Sequence, residues 1–360
     1  MKAEYVYTYG RQNWFPGAAA EHRAVRGAVG LFDQSSLAKF RLQGPEAAAT
    51  LQRLCANDVD VPVGRIVYTQ MLNRRGGIEC DLTVTRLAED AYLVVTIAAT
   101  AVHDADWIRR GIGGARVTLT DVTSAYTVLG VMGPRSRELL SRLTPADLST
   151  AAFPFGTARE IEIGQALVWA TRITYVGELG WELYVPTEFA AAVYDDVVAA
   201  GEGLGLRHAG YHAMDSLRME KGYRSWGHDI GSEDTPLEAG LGFAVAFKKD
   251  GFVGRDVLLR QREAPLGRRL VMFTLAYSEP LLLGDEPIWR DGELVGRITS
   301  GAYGHTLGRS VGMGYVTHPG GVDTAFVRSG RWELELATER FPAAAALEPP
   351  YDRTSARVRA

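Results

Sequence analysis

The sequence predicts a mixed α+β chain: two blocks in which strands and helices are interleaved, followed by an all-β domain. Three observations predict it. Residues 67–97 read strand, turn, strand, turn, strand; a second series of strands and then helices runs from 158 to 221; and helical periodicity disappears from Arg268 onward. With 360 residues, 46% hydrophobic and 23% charged, the chain is too long for one core, so two or three domains are expected.

Residues 30–42 carry apolar side chains at strand spacing, and Gly44-Pro45 opens an Ala- and Leu-rich helix that ends near Cys55, before Asn57-Asp58. Strands at 67–72, 78–85 and 92–97 form an antiparallel meander around the turn at 74–77 and the polar break at 88–90. A helix at 103–110 and strands at 116–119 and 126–132 complete the first block, and Gly133-Pro134 begins another helix. In the second block, strands are expected at 158–163, 166–175 and 181–185, helices at 187–200 and 210–221, and the start of a strand at 238–247. The polar, Pro265-containing stretch 261–266 reads as a linker. Beyond it, apolar runs at 270–275, 286–290, 294–299, 310–316 and 331–336 suggest a closed or sandwich-like β domain. The Ala-rich stretch 341–346 and the polar end are expected to fray or lie on the surface.

A net charge of −4, with both signs interspersed, offers no footprint for nucleic acid. The first 14 residues contain no apolar signal-like run, and no window reaches the ~18 apolar residues of a membrane span, so a cytoplasmic chain with no membrane partner is expected. Cys55 and Cys80 sit in no Cys-x-x-Cys pair and beside no histidine at ligand spacing. The pair His208 and His212 lacks the glutamate of the zinc-protease motif, so no metal site is expected.

Three clusters carry the chemistry. In Gly76-Gly77-Ile78-Glu79-Cys80-Asp81-Leu82-Thr83-Val84, the period-two rule puts Ile78, Cys80, Leu82 and Val84 on one face and Asp81 on the polar one. The preceding Tyr68-Thr69-Gln70-Met71-Leu72-Asn73 would lie alongside as a hairpin strand, bringing Tyr68 near Asp81. Taken alone, such an aspartate is more often simply exposed. In Tyr175-Val176-Gly177-Glu178-Leu179-Gly180-Trp181-Glu182-Leu183-Tyr184, two glycines bracket a turn and Glu182 leaves it between aromatic neighbours, where a carboxylate can accept paired hydrogen bonds from an amino-pyrimidine edge. Trp181 in the core beside an exposed Glu182 is the commoner meaning. In the third, Asp215-Ser216-Leu217-Arg218-Met219-Glu220-Lys221-Gly222-Tyr223-Arg224, Gly222 can cap a helix on which Arg218 would ordinarily be a surface residue.

In this order, together with Thr235-Pro236-Leu237-Glu238-Ala239-Gly240-Leu241 and Thr299-Ser300-Gly301-Ala302-Tyr303-Gly304-His305, the clusters resemble the glycine cleavage T-protein (aminomethyltransferase) family over nearly the whole chain. Arg11-Gln12-Asn13-Trp14-Phe15, Leu31-Phe32-Asp33-Gln34-Ser35-Ser36 and Gly242-Phe243-Ala244-Val245 look closer still to the folate-binding C-terminal half of the dimethylglycine and sarcosine dehydrogenases. The resemblance implies a three-domain cloverleaf around a central folate channel: a discontinuous folate-binding domain (1–45 and 145–265), an inserted α/β domain (46–144) carrying the catalytic acid, and a C-terminal β-barrel or jelly-roll-like domain (266–360).

Carried over by motif, Asp81 corresponds to the catalytic carboxylate, and Tyr68, Tyr175, Glu182 and Arg218 to folate-binding residues. Where the family often has two consecutive acids, this chain has Cys80-Asp81. The implied function is transfer of an aminomethyl, methylene or methyl group from an N-methyl or aminomethyl donor to tetrahydrofolate. No Gly-x-Gly-x-x-Gly follows an early strand, so FAD is not expected in this chain. A separate flavoprotein oxidase or a carrier protein is then the partner to expect, and a non-catalytic folate-binding subunit of such an oxidase is the alternative. The iron–sulfur and tRNA-maintenance branch ranks last, because Tyr223 follows Gly222 where that branch has a cysteine.

Overall fold

The computed structural model describes residues 4–6, 8 and 10–360. Its chain is organised by three sheets, and the relation between the first two positions the site. The first sheet runs in the order Leu206–His208, Val29–Asp33, Tyr126–Met132, Gly180–Pro186, Ala166–Thr171, Ala158–Ile163; the pair at the Leu206–His208 edge is parallel and the other pairs antiparallel. The second runs Ile66–Leu72, Ile78–Ala88, Ala91–Thr96, Ala38–Gln43, Thr118–Asp121.

Each sheet is backed by helices on one face. Trp181, Leu183 and Val185 join a core with Leu139, Leu140, Val193 and Val197 from helices Ser136–Leu140 and Ala190–Ala200. Cys80, Leu82 and Val84 do the same with Leu51, Leu54, Ala105 and Ile108 from helices Ala47–Leu54 and Ala101–Ile112. Each fully buried Leu or Val contributes about 1.5–3 kcal/mol. The opposite faces meet each other, because Val128 and Tyr184 of the first sheet pack against Leu93 and Val95 of the second. Strand Gly180–Pro186 is thus buried on both sides, between helices and a second sheet.

The third sheet is a closed six-stranded barrel in the order Arg268–Leu275, Arg309–Thr317, Glu293–Gly304, Pro287–Arg290, Trp332–Leu336, Glu339–Ala346, filled by Val271, Phe273, Ile288, Ile298, Val316 and Leu334. Helix Tyr211–Lys221 packs on it, with Met219 among Leu270, Met272 and Met313. Gly222 ends that helix in the left-handed region (φ 67°), as its lack of a Cβ permits.

The meander, the helices at 190–200 and 211–221 and the barrel follow the sequence expectation; four segments do not. The Ala-rich stretch 341–346 belongs to barrel strand Glu339–Ala346, whose Ala343–Ala346 portion pairs with Met272–Leu275. Two otherwise open barrel edges outweigh alanine's weak strand preference. The expected strand start at 238–247 is a run of turns with a short 3-10 helix, Gly242–Ala244, because Pro236, Gly240 (φ 70°) and Gly242 break extended pairing. Helix Arg255–Arg262 runs into the expected linker. Helix Phe15–Gly27, with a proline in its first turn, occupies a stretch for which the sequence reading has no element.

The sheets also divide the chain differently from the expected domains. Strand Ala38–Gln43 pairs within the second sheet, although it precedes residue 45, and strand Tyr126–Met132 pairs at the centre of the first, although it precedes residue 144. Long-range strand pairing decides this, and it leaves no local trace in composition. Among the described residues, no helix is long and apolar enough to cross a membrane.

Candidate functional site

Strand Ile78–Ala88 alternates buried and half-buried residues, and Asp81 is one of the half-buried set, on the face away from the helices. The hairpin register puts Gln70 directly across from Asp81, and Tyr68 across from Thr83. Gln70 Nε2 donates to Asp81 Oδ1 at 3.0 Å, and the Tyr68 hydroxyl also hydrogen-bonds the carboxylate. Burial raises the Asp81 pKa to about 6; Gln70 and Tyr68 oppose the rise, the negative charge of Asp104 adds to it, and Arg224 draws it down. A carboxylate that keeps accessible surface and yet is strongly desolvated lines a recess.

Glu182 is 6% exposed. The Tyr184 hydroxyl donates to its Oε2 at 2.9 Å and the Gln34 side chain hydrogen-bonds it too, yet burial dominates and raises its pKa to about 7. Gln34 follows strand Val29–Asp33, where Asp33 Oδ1 accepts from the Ser35 N–H at 2.9 Å and turns the chain. Gly130 lies opposite Glu182, and its bareness matters: a Cβ there would come within 2.3 Å of Gln34 Oε1.

The two acids lie on facing surfaces. Glu182 and Tyr184 share one face of the first sheet, the face on which Tyr184 meets Leu93 and Val95. Val95 is paired with Thr83, two residues along the same strand face from Asp81. Each acid is accompanied by a glutamine whose other amide atom, Gln70 Oε1 or Gln34 Oε1, is buried without a hydrogen-bond partner. Such orphan acceptors are costly unless a ligand or water satisfies them. Groups with N–H donors, such as an amino-pyrimidine, fit this pattern.

The Tyr175 hydroxyl donates to the Arg224 carbonyl at 2.8 Å, and its ring stacks on Tyr223 at 5.9 Å. Its phenol feels Arg218, Asp229 and Asp81, so it stands between the acid and the arginine. Arg218 is 4% exposed and not at the surface. Its Nε donates to Asp215 (2.6 Å), one terminal nitrogen to Asp229 (2.7 Å) and the Tyr223 carbonyl (3.2 Å), and the other to Ser300 Oγ (3.0 Å). Asp229 is held in turn by Thr299 Oγ1 at 2.6 Å, which ties the helix to the barrel.

Gln70, Gln34 and Arg224 stand inside motifs of the sequence reading but have no role there. Hairpin pairing could have pointed to Gln70, two residues from Tyr68; no spacing within their motifs points to Gln34 or Arg224 as neighbours of the acids. Phe243 is 74% exposed, and its ring lies 6.2 Å from that of Tyr68. Two clefts open elsewhere on the surface, one lined by Trp14, Phe15, His212 and Tyr303, the other of about 710 Å³ lined by His228, Arg268, Arg297 and Tyr315. Neither touches Asp81 or Glu182. In the larger one the arginines are paired with Asp234 and Asp285.

Residues 1–249 match the GCVT N-terminal domain, and residues 268–352 the glycine cleavage T-protein C-terminal barrel domain. The chain belongs to the glycine cleavage T-protein family. This T-protein family chain is 43% identical over 356 residues to a 4-methylaminobutanoate oxidase (formaldehyde-forming) of Paenarthrobacter nicotinovorans, which covers 99% of the chain but 42% of that oxidase. It is 37% identical over 314 residues to an aminomethyltransferase of Halothermothrix orenii, covering 86% of the chain and 87% of the relative. The crystal structure of the glycine cleavage system aminomethyltransferase T from Bartonella henselae superimposes with a TM-score of 0.83 at 26% identity, over 98% of this chain and 95% of that one. Two mixed α/β sheets followed by a closed barrel are therefore the T-protein fold.

Proposed function

We infer that this T-protein family member transfers a one-carbon unit, as an aminomethyl, methylene or methyl group, from a small N-methyl or aminomethyl donor to tetrahydrofolate. The observation that carries the reading is the pair of facing acids, Asp81 and Glu182, each with a glutamine that presents an unmet acceptor. Glu182 and Gln34 would hold the amino-pyrimidine edge of the pterin, Tyr68 and Tyr175 would flank the reacting end, and Arg218 would brace the wall behind them. When bound, tetrahydrofolate supplies the nucleophilic nitrogen. Asp81 orients the reacting groups and accepts a proton on a carboxylate oxygen, for which a pKa near 6 is well placed. Gln70 and Tyr68 fix its rotamer.

The N-methylamino compound in one relative's name makes N-methyl amines the donors to try first, and a separate flavoprotein oxidase or a carrier is the proposed source of an activated donor. The test is to incubate the protein with tetrahydrofolate and a panel of N-methyl amines, aminomethyl donors and O-methyl compounds, with and without an oxidase, and to identify the folate product by mass spectrometry. A 5,10-methylene product marks methylene transfer and a 5-methyl product marks demethylation. Folate binding without turnover would move the protein to the second reading, a folate-binding partner subunit. Failure to bind tetrahydrofolate would overturn both.

A further inference from the structure

On the opposite face of the strand that carries Asp81, Cys80 points toward helix Ala101–Ile112, where its Sγ, a ring nitrogen of His103 and an Asp104 carboxylate oxygen all lie within 4.8 Å of one another. The sequence reading set a metal site aside because no histidine neighbours either cysteine along the chain. Packing of the helix on the sheet removes that objection, since it brings together residues more than 20 positions apart. The geometry points to a divalent transition-metal site, of the chemistry that takes zinc, formed by Cys80 Sγ, His103 Nδ1 and Asp104 Oδ1.

His103 Nδ1 hydrogen-bonds Asp104 Oδ1 at 2.9 Å, a bond that an ion between them would replace. The ring's Nε2 faces Glu79 Oε2 at 3.4 Å, the carboxylate–histidine arrangement that fixes a ligating ring. Glu79 is itself held, with its Oε1 accepting from Asn73 Nδ2 at 2.8 Å. The hydroxyls of Thr96 and Thr100 occupy Asp104 Oδ2 at 2.5 and 2.8 Å, so Oδ1 is the oxygen that would turn to an ion, which would replace the hydrogen bonds that His103 Nδ1 and the Cys80 thiol make to this carboxylate. The rings of Trp107 and Trp226 flank His103 at 6.3 and 5.9 Å. Cys80 and Asp104 are buried, whereas the His103 side chain is 43% exposed, so an ion would arrive along the imidazole.

Tetrahedral zinc, with bonds of about 2.0–2.3 Å, spaces its ligand atoms by roughly 3.3–3.8 Å, within reach of this cluster by small side-chain movements. A thiol, an imidazole and a carboxylate favour zinc or cobalt over magnesium or calcium, and three protein ligands leave the fourth position to water. On binding, a metal–sulfur bond replaces the thiol S–H bond and the proton passes to solvent.

Cobalt(II) and zinc(II) titration of the chelator-treated full chain is decisive. The expected result is one cobalt per chain with a thiolate-to-cobalt charge-transfer band and tetrahedral visible absorption, displaced by one equivalent of zinc. Cys80→Ser abolishes the charge-transfer band. His103→Gln, at a half-exposed position that tolerates the change, weakens binding at least about 100-fold with an unchanged circular dichroism spectrum, and Glu79→Gln weakens it about 10-fold. His212→Gln, a histidine outside the cluster, binds as the parent does. Absence of stoichiometric binding below millimolar metal, or binding that survives His103→Gln, would overturn the proposal; because that variant is expected to fold, a misfolded Cys80→Ser protein leaves the test intact.

Discussion

Asp81 is held in a state that costs the fold and suits the proton transfer proposed for it. Its pKa stands at about 6 in the folded protein against 3.8 for a free aspartate, so the folded state favours the protonated acid. That contribution to stability is complete below pH 3.8 and is lost as pH rises through 6, so that at neutral pH the fold has lost about 3 kcal/mol relative to acid pH. Asp81→Asn is therefore expected to be more stable than the parent at pH 8 by up to about that amount and equal to it near pH 3.5, as denaturant unfolding at the two values would measure. The same variant should lose about 10²–10⁴ in turnover at saturating folate and keep its folate affinity. Equal turnover would remove the carboxylate from the mechanism. Glu182 obeys the same sign, with a raised pKa of about 7. If its carboxylate grips the pterin, tetrahydrofolate binding should tighten as pH rises from 6 to 8, and Glu182→Gln should bind weakly at both values; calorimetry across that range decides it.

At the level of elements, the strand alternation that faces Asp81 away from Cys80 is local, and the sequence shows it plainly. What stands across from Asp81 depends on the hairpin register, and here Gln70 rather than Tyr68 is the opposite residue. The partners of Glu182 come from further off: Gln34 reaches it from the end of strand Val29–Asp33, and Gly130 of strand Tyr126–Met132 clears the space. Gly130→Ala should push the flexible Gln34 amide aside and weaken tetrahydrofolate binding by roughly 10-fold, the worth of one hydrogen bond to a charged group, while the melting temperature changes little. Unaltered affinity would show that Gln34 has no part in binding. Arg218 illustrates the converse case, since a helical arginine reads as surface until a barrel serine and two aspartates enclose it.

For the whole molecule, barrel closure depends on a segment whose composition suggests fraying. In strand Glu339–Ala346, Ala343 and Ala345 pack on the barrel core while Ala344 is exposed. Ala345→Glu should accordingly destabilise the protein by about 2–3 kcal/mol, whereas Ala344→Glu should stay within about 0.5 kcal/mol, as compared by thermal denaturation. Two equally harmless variants would mean that the closing strand contributes nothing to stability.

The order of motifs, the strand faces and the composition of each block sufficed for the sequence alone to determine the family, the mixed α/β and barrel classes, and the face on which Asp81 lies. These are properties of spacing along the chain, which period-two and helical geometry convert directly into sides of an element. Only the tertiary structure decided that the faces bearing Asp81 and Glu182 are opposed, which glutamines attend them, and that Cys80 meets His103 and Asp104. Those facts arise from pairings between residues far apart in sequence, fixed by burial of whole surfaces, and no short window of the chain contains them.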